Sequence, residues 1–290
     1  MLSRSAAPGR RRAGVVGSPV SHSLSPLLHG AAYEALGLTG WSYGRQEVPE
    51  GGLARHVDGL GPEWVGLSVT MPGKEEALAL AGTASQEAAL AGAANTLVRQ
   101  DHSWYADNTD VHGLATALQE AGAGQVTRGV VLGGGATARS AVLALRRLGA
   151  REIDLMVREG IRPRTRELLD RLADGPTPTG VRVRRLAEGL SLDRRWADVV
   201  VGTLPPGVSA PPVEPGDREP PVVLDVVYSP WPSALATAVA SASAGRVVAV
   251  RGTTMLLHQA ARQVELMTGC TAPVRQMALA LQGALTEGRG

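Results

Sequence analysis

The 290-residue chain, 44% hydrophobic and 19% charged, has enough apolar residues for an ordinary packed core, and its length points to two domains. A formal charge of +2, with basic side chains scattered rather than banked, argues against nucleic acid as a partner, and no apolar run nears the roughly 20 residues that span a bilayer. Cys270 is the single cysteine, which excludes an intrachain disulfide and a cysteine metal cluster. No secretory apolar stretch follows Arg10-Arg11-Arg12. We therefore expect a cytoplasmic protein without a metal, residues 1–12 forming a frayed basic tail.

In chain order, residues 14–16 read as a strand closed by Gly17-Ser18-Pro19, and Ser25-Pro26 offers an N-cap with proline behind it, predicting a helix from Pro26 to about Leu36. Residues 64–69 form the next predicted strand, Pro72-Gly73 a turn and residues 74–80 a helix. Residues 94–99 and 104–105 read as strands of a hairpin, and a helical pattern covers 113–120. From residue 129 a strand runs into Gly133-Gly134-Gly135 and a helix. Strands follow at 153–157, 181–183, 199–201, 222–227 and 247–250, with helices at 165–172, 253–266 and 278–285. Residues 174–180 and 205–221, rich in Pro and Gly, read as surface loops. Strands alternating with helices predict an α/β fold with a parallel, doubly wound sheet.

Four polar clusters stand out: Ser21 to Pro26, Ser68 to Lys74, Gly92 to Thr96, and Asp107-Asn108-Thr109-Asp110. Each follows a run read as a strand, and residues just past the strand ends of an open α/β sheet converge on one ligand crevice. Turn-making and helix capping would also use such residues, but four clusters in register suggest one site.

A pyrophosphate needs backbone N–H groups at a helix N-terminus and glycines where a Cβ would obstruct its approach. Gly133 and Gly135 occupy the first two fingerprint positions, with Gly134 between them, Ala136 and Thr137 opening the helix, and Ala138 in place of a third glycine. At the end of the next strand an acidic residue would select NAD and an arginine NADP. Arg158 points to NADP, and the adjacent Glu159 keeps NAD open.

Together these motifs resemble the shikimate dehydrogenase family: Ser23, Ser25 and Pro26; Val69 to Lys74; Ala93 to Leu97; Asp107 to Asp110; the turn at Gly133; Asp225 to Tyr228; and Gly252, Met255 and Gln259. The resemblance covers nearly the whole chain. It implies a substrate-binding catalytic domain (residues 1–112 plus 253–290) and a Rossmann-like NADP domain (residues 113–252), with the site in the cleft between. It further implies NADP-dependent interconversion of 3-dehydroshikimate and shikimate, on the route to chorismate and the aromatic amino acids. By the same resemblance Ser23 and Ser25 would bind the substrate carboxylate, Thr70 a ring position, and Asn95, Asp110 and Gln259 ring hydroxyls. Tyr228, a substrate-binding residue, and the backbone around Gly252 would line the meeting point of nicotinamide and substrate, and Val226, Gly252 and Met255 would bind the cofactor. Lys74 would be the acid/base.

Chemistry supports the last role: hydride delivery to a ketone leaves an alkoxide that needs a proton donor, and a carboxylate such as Asp110 favours a charged ammonium. Ser68, Gly73, Val111 and Gly202-Thr203 depart from the family pattern without removing a proposed catalytic group. A quinate or aminoshikimate dehydrogenase of the same family, and an NADP-binding regulator without activity, are the alternatives; a homodimer stays open. His22, His112 and His258 read as surface or packing residues, and no residue set has metal-ligand spacing.

Overall fold

The computed structural model describes residues 9–101, 103–175 and 177–287. Most of the expected basic tail, residues 1–8, lies outside the described residues. Arg11 and Arg12 do not fray. They open the first strand, where the Arg11 N–H donates to the Gly40 carbonyl and the Arg12 N–H to that of Glu63. Paired backbone, not side-chain polarity, decides their state.

The chain begins with β1 (Arg11–Gly17), α1 (Ser25–Ala35), β2 (Trp41–Glu47), α2 (Leu53–Asp58), β3 (Trp64–Val69) and α3 (Lys74–Leu80). It continues through β4 (Thr83–Ala84), α4 (Gln86–Ala91), β5 (Thr96–Gln100), β6 (Ser103–Asp107) and α5 (Thr109–Glu120). Then come β7 (Arg128–Leu132), α6 (Ala136–Arg147), β8 (Glu152–Val157), α7 (Pro163–Asp174), β9 (Gly180–Arg185), β10 (Leu190–Ser191), β11 (Val199–Gly202) and β12 (Val213–Glu214). The last elements are β13 (Val222–Asp225), α8 (Ala234–Ala242), β14 (Val250–Arg251), α9 (Thr253–Thr268) and α10 (Val274–Glu287).

These elements form two compact units. One holds the chain up to residue 89, residues 93–109 and everything from residue 260; the other holds residues 90–92 and 110–259. The chain passes between them at the end of α4, where residues 90–92 belong to the second unit, and again within α5 and α9.

The first unit is built on a sheet of order β2-β1-β3-β5-β6-β4. Strands β1, β2 and β3 run parallel, β5 runs against β3, and β6 runs against β5. Its core includes Val16, Leu53, Leu67, Val69, Leu97 and Trp104; burying a side chain of this size contributes about 1.5–3 kcal/mol. The reversal at β5 corrects one expectation. The Gly92 to Thr96 cluster does not follow a strand; it follows α4 and precedes β5. Because β5 is antiparallel, its start lies at the same edge as the ends of β3 and β6: Ser68 pairs with Thr96, and Thr96 with Asp107. The clusters therefore share an edge for a different topological reason.

The second unit carries an all-parallel sheet of order β14-β13-β11-β7-β8-β9, the strand order of a dinucleotide-binding fold, plus a two-stranded ladder of β10 and β12. Its central strands β7, β11 and β13 are rich in buried valine and leucine, as strands covered on both faces require, whereas the edge strand β9 is mostly exposed and carries three arginines. Leu155, Val201 and Leu224 pack against α5 and α6 on one side; Val130, Val200 and Leu235 belong to a second cluster. The segment 205–221, expected to be loop, contains β12, and the strand expected at 247–250 is paired only at Val250–Arg251.

Candidate functional site

In the first unit the polar edge is assembled by α1, α3 and the β5/β6 hairpin. Ser25 was expected as the N-cap of α1. It is instead the first helical residue; Leu24 is the N-cap, and the Ser23 hydroxyl just before it accepts the Ser25 N–H at 3.3 Å, with the two hydroxyls 3.2 Å apart. Both serines therefore sit at the N-terminus of an eleven-residue helix, where backbone N–H groups and the helix dipole favour an anion.

Thr70 is fixed by its N–H to the Val16 carbonyl, 2.9 Å. Lys74, half-buried, is the first residue of α3, and its carbonyl accepts the Ala94 N–H at 2.8 Å. Helix α3 is held in turn by Glu76, whose carboxylate accepts the N–H groups of Gly51 (2.8 Å) and Leu53 (3.3 Å) at the start of α2.

Three of the four residues in the Asp-Asn-Thr-Asp run are committed to this scaffold. Asp107 accepts from the Ser85 hydroxyl (2.6 Å) and the Asn108 N–H (2.7 Å); Asn108 donates to the Ala93 carbonyl (3.0 Å); Thr109 donates its N–H to Asn95 Oδ1 (2.8 Å). Asn95 also donates to Thr109 Oγ1 at 2.9 Å, so its side chain ties the start of β5 to the start of α5. Asp110, buried, is the second residue of α5, which suits a carboxylate at the positive end of the helix.

Behind this edge lies a polar chain that the sequence reading missed. Gln263, 1% exposed, satisfies all four bonding positions of its amide. Its Oε1 accepts from Ser68 Oγ (2.7 Å) and His29 Nε2 (3.4 Å), and its Nε2 donates to the Asn95 carbonyl (3.2 Å) and Thr96 Oγ1 (3.0 Å). The Tyr43 hydroxyl donates to Ser68 at 2.5 Å, and His29 stacks on Tyr43 with ring centroids 3.9 Å apart. Burial pushes the His29 imidazole down to about 3 and raises the Tyr43 hydroxyl beyond its ordinary range. His29 is thus neutral, its Nε2–H facing Gln263. The available signal was a pair of glutamines, Gln259 and Gln263, one turn apart in a largely apolar helix.

In the second unit the glycine turn lies where the strand order reverses, at the ends of β7 and β11. Gly133 adopts φ +118, and a Cβ there would stand 2.5 Å from Thr203 Oγ1, which itself donates to the Leu132 carbonyl. The Thr165 hydroxyl donates to the Gly134 carbonyl at 3.0 Å. Gly135 caps α6 in extended conformation with no atom within 4 Å of where its Cβ would be, so the space over the turn is open. The N–H groups of Ala136, Thr137 and Ala138 head a twelve-residue helix. A pyrophosphate fits this cradle. Ala138, fully buried, lets the helix sit on the sheet as a third glycine would, and buried Arg139 braces the turn by donating to the Ala91 carbonyl at 2.6 Å.

Arg158 is exposed at the end of β8. The Val226 N–H donates to the Gly202 carbonyl at 3.0 Å, and Gly252 lies so close to Val226 that a Cβ would collide with its carbonyl. Met255 and Gln259 are buried on α9, and the Tyr228 carbonyl accepts from Arg251. Asp225 accepts from the Ser233 hydroxyl (2.6 Å) and the Val227 N–H (3.1 Å), and burial raises its carboxyl above the usual range. It borders a cavity of about 280 Å³ lined by Leu204, Val208, Pro232 and Leu235. His22 is exposed, His112 half-buried, and His258 buried with Nε2 2.9 Å from Glu120.

No group of three His, Cys, Asp or Glu among the described residues could hold a metal, and no helix among them is long and apolar enough to cross a membrane.

The strand order and switch-point turn of the second unit, together with the polar edge of the first α/β unit, define a two-unit dinucleotide-binding α/β protein. Residues 15–97 match the model of the shikimate dehydrogenase substrate binding domain and residues 252–282 that of the shikimate 5'-dehydrogenase C-terminal domain. A shikimate dehydrogenase (NADP(+)) from Methanopyrus kandleri is 35% identical over 91% of this chain and 92% of its own. The crystal structure of Mycobacterium tuberculosis shikimate dehydrogenase superposes with a TM-score of 0.76 at 43% identity, covering 94% of this chain and 99% of that one. The Thermus thermophilus shikimate 5-dehydrogenase, solved in complex with NADP(H) and shikimate, gives 0.78 at 28% identity over 94% and 99%. The chain belongs to the shikimate dehydrogenase family.

Proposed function

We propose that this protein interconverts 3-dehydroshikimate and shikimate with NADP, Lys74 serving as acid/base and Asp110 as its partner carboxylate. The observation that supports the reading most is the overall similarity to a shikimate dehydrogenase (NADP(+)), 35% identical over 91% of this chain, with Lys74 and Asp110 standing in the motifs that resemble the family.

NADP supplies or accepts the hydride when bound over Gly133 to Thr137. Reduction of the ring ketone leaves an alkoxide, and Lys74 Nζ gives it a proton; in the reverse direction the neutral amine takes the hydroxyl proton. Ser23 and Ser25 bind the substrate carboxylate at the N-terminus of α1, Thr70 contacts the ring, and Asn95, Asp110 and Gln259 hold its hydroxyls. Tyr228 and the backbone around Gly252 line the place of hydride transfer, Val226, Gly252 and Met255 bind the cofactor, and Arg158 meets the 2′-phosphate. The cellular role that follows is a step toward chorismate and the aromatic amino acids.

The test is shikimate oxidation followed at the nicotinamide absorbance, with NADP and NAD in parallel and quinate as competing substrate. NADP reduction driven by shikimate is expected. Turnover chiefly with quinate or NAD would overturn the specificity, and none with any pair would overturn the reaction.

A further inference from the structure

Strand β9 carries three arginines near its end, and two are neutralised in place. Arg182 Nε lies 2.9 Å from Asp154 Oδ1; Arg184 lies 3.2 Å from Asp154 Oδ2 and 2.9 Å from Glu188 Oε2. Arg185 is placed differently. The parallel register sets it beside Val157, the last residue of β8, and its Nη1 crosses to the neighbouring strand end to donate to the Arg158 carbonyl at 3.1 Å. Glu188 Oε1 accepts the Arg185 N–H at 2.7 Å and fixes the backbone from which that side chain extends.

A guanidinium is therefore held at the tip of β8, where folds of this strand order grip the adenosine ribose. One N–H is engaged by the Arg158 carbonyl, and the rest of a five-donor fork is available to a ligand. Just past β8, Arg158 and Glu159 are neighbours of opposite charge, so that segment alone does not select between the two nucleotides. A cation from β9, 27 residues further along the chain, shifts the balance.

We infer that Arg185 is a specificity-determining residue of the nucleotide site, the second cation of a clamp with Arg158 that recognises a ribose 2′-phosphate. The inference rests on the NADP reading above and deepens it. A phosphate rewards a planar arginine fork with charge-assisted bonds, whereas a ribose hydroxyl gives it little, so Arg185 favours NADP over NAD by differential binding.

The experiment is calorimetric titration of the substrate-free protein with NADP, NAD and 2′,5′-ADP at fixed low salt. Arg185→Gln is expected to weaken NADP and 2′,5′-ADP roughly tenfold while changing NAD less than about twofold, and Arg185→Lys to recover part of the loss. Arg182→Gln removes the same charge from the same strand, but from a guanidinium paired with Asp154, and leaves the NADP to NAD ratio unchanged. Retained NAD binding shows that the Arg185 variant is folded. An unchanged ratio in Arg185→Gln, or an equal fall in Arg182→Gln, overturns the inference alone. Wild-type protein that prefers NAD or binds neither nucleotide overturns the NADP reading as well.

Discussion

The two units present opposite kinds of recognition surface. The edge of the first is crowded with side chains, yet most bond to one another: Asp107, Asn108, Thr109 and Asn95 lock the hairpin to α5, and Gln263 locks Asn95, Ser68 and His29 behind it. The turn of the second offers almost no side chain; backbone N–H groups stand over the open space at Gly135. One surface needs a rigid polar framework so that a few groups can be aimed at a small ring. The other needs only backbone approach, which glycine permits.

The largest expected effect is at Asp110, the residue at which α5 enters the second unit. Asp110→Asn removes a carboxylate from the proposed dyad, and turnover should fall roughly a hundredfold while NADP binding, measured by titration, stays as in wild type. Equal loss of nucleotide binding would place Asp110 in the other machinery.

Gln263→Leu tests the framework. It leaves Ser68, Thr96 and the Asn95 carbonyl without their buried partner and should cost about 2–3 kcal/mol in urea unfolding, with the KM for shikimate raised more than that for NADP.

The same framework carries a pH signature. His29 titrates near 3 in the folded state against 6.5 when unfolded, so between those values the unfolded chain binds the extra proton and stability falls as pH drops. Wild type should lose roughly 2 kcal/mol more than His29→Gln between about pH 7 and 5. Parallel acid limbs in denaturation curves of the two proteins would contradict this.

The smallest expected effect lies in the second unit. Arg158→Ala should cut the preference for NADP over NAD by about tenfold in a binding titration, and an equal loss for both nucleotides would make Arg158 a bystander.

Elements whose own sequence determined their state were readable. Trp64–Val69 and Lys74–Leu80 agree with their predicted bounds because a buried apolar run and a Pro-Gly turn mark them locally. Strand β2, Trp-Ser-Tyr-Gly-Arg-Gln-Glu, was not readable: an edge strand with mostly exposed residues needs no apolar run, and pairing with β1 alone makes it a strand. Helix α8 was missed because its Ala and Ser residues give little polar contrast, although Ser233 caps it. The site followed the same rule. Gly133 and Ser25 stood out by their local motifs, whereas Gln263 and Arg185 owe their positions to partners 168 and 27 residues away, and only the folded sheet brings those together.

Lys74→Ala, studied in one experiment that reads both NADP affinity and single-turnover hydride transfer from shikimate, tests most directly whether proton chemistry and nucleotide binding are carried by separate groups. The account predicts an NADP Kd within about twofold of wild type and a hydride step slowed at least a hundredfold or so. A hydride step as fast as wild type would contradict it.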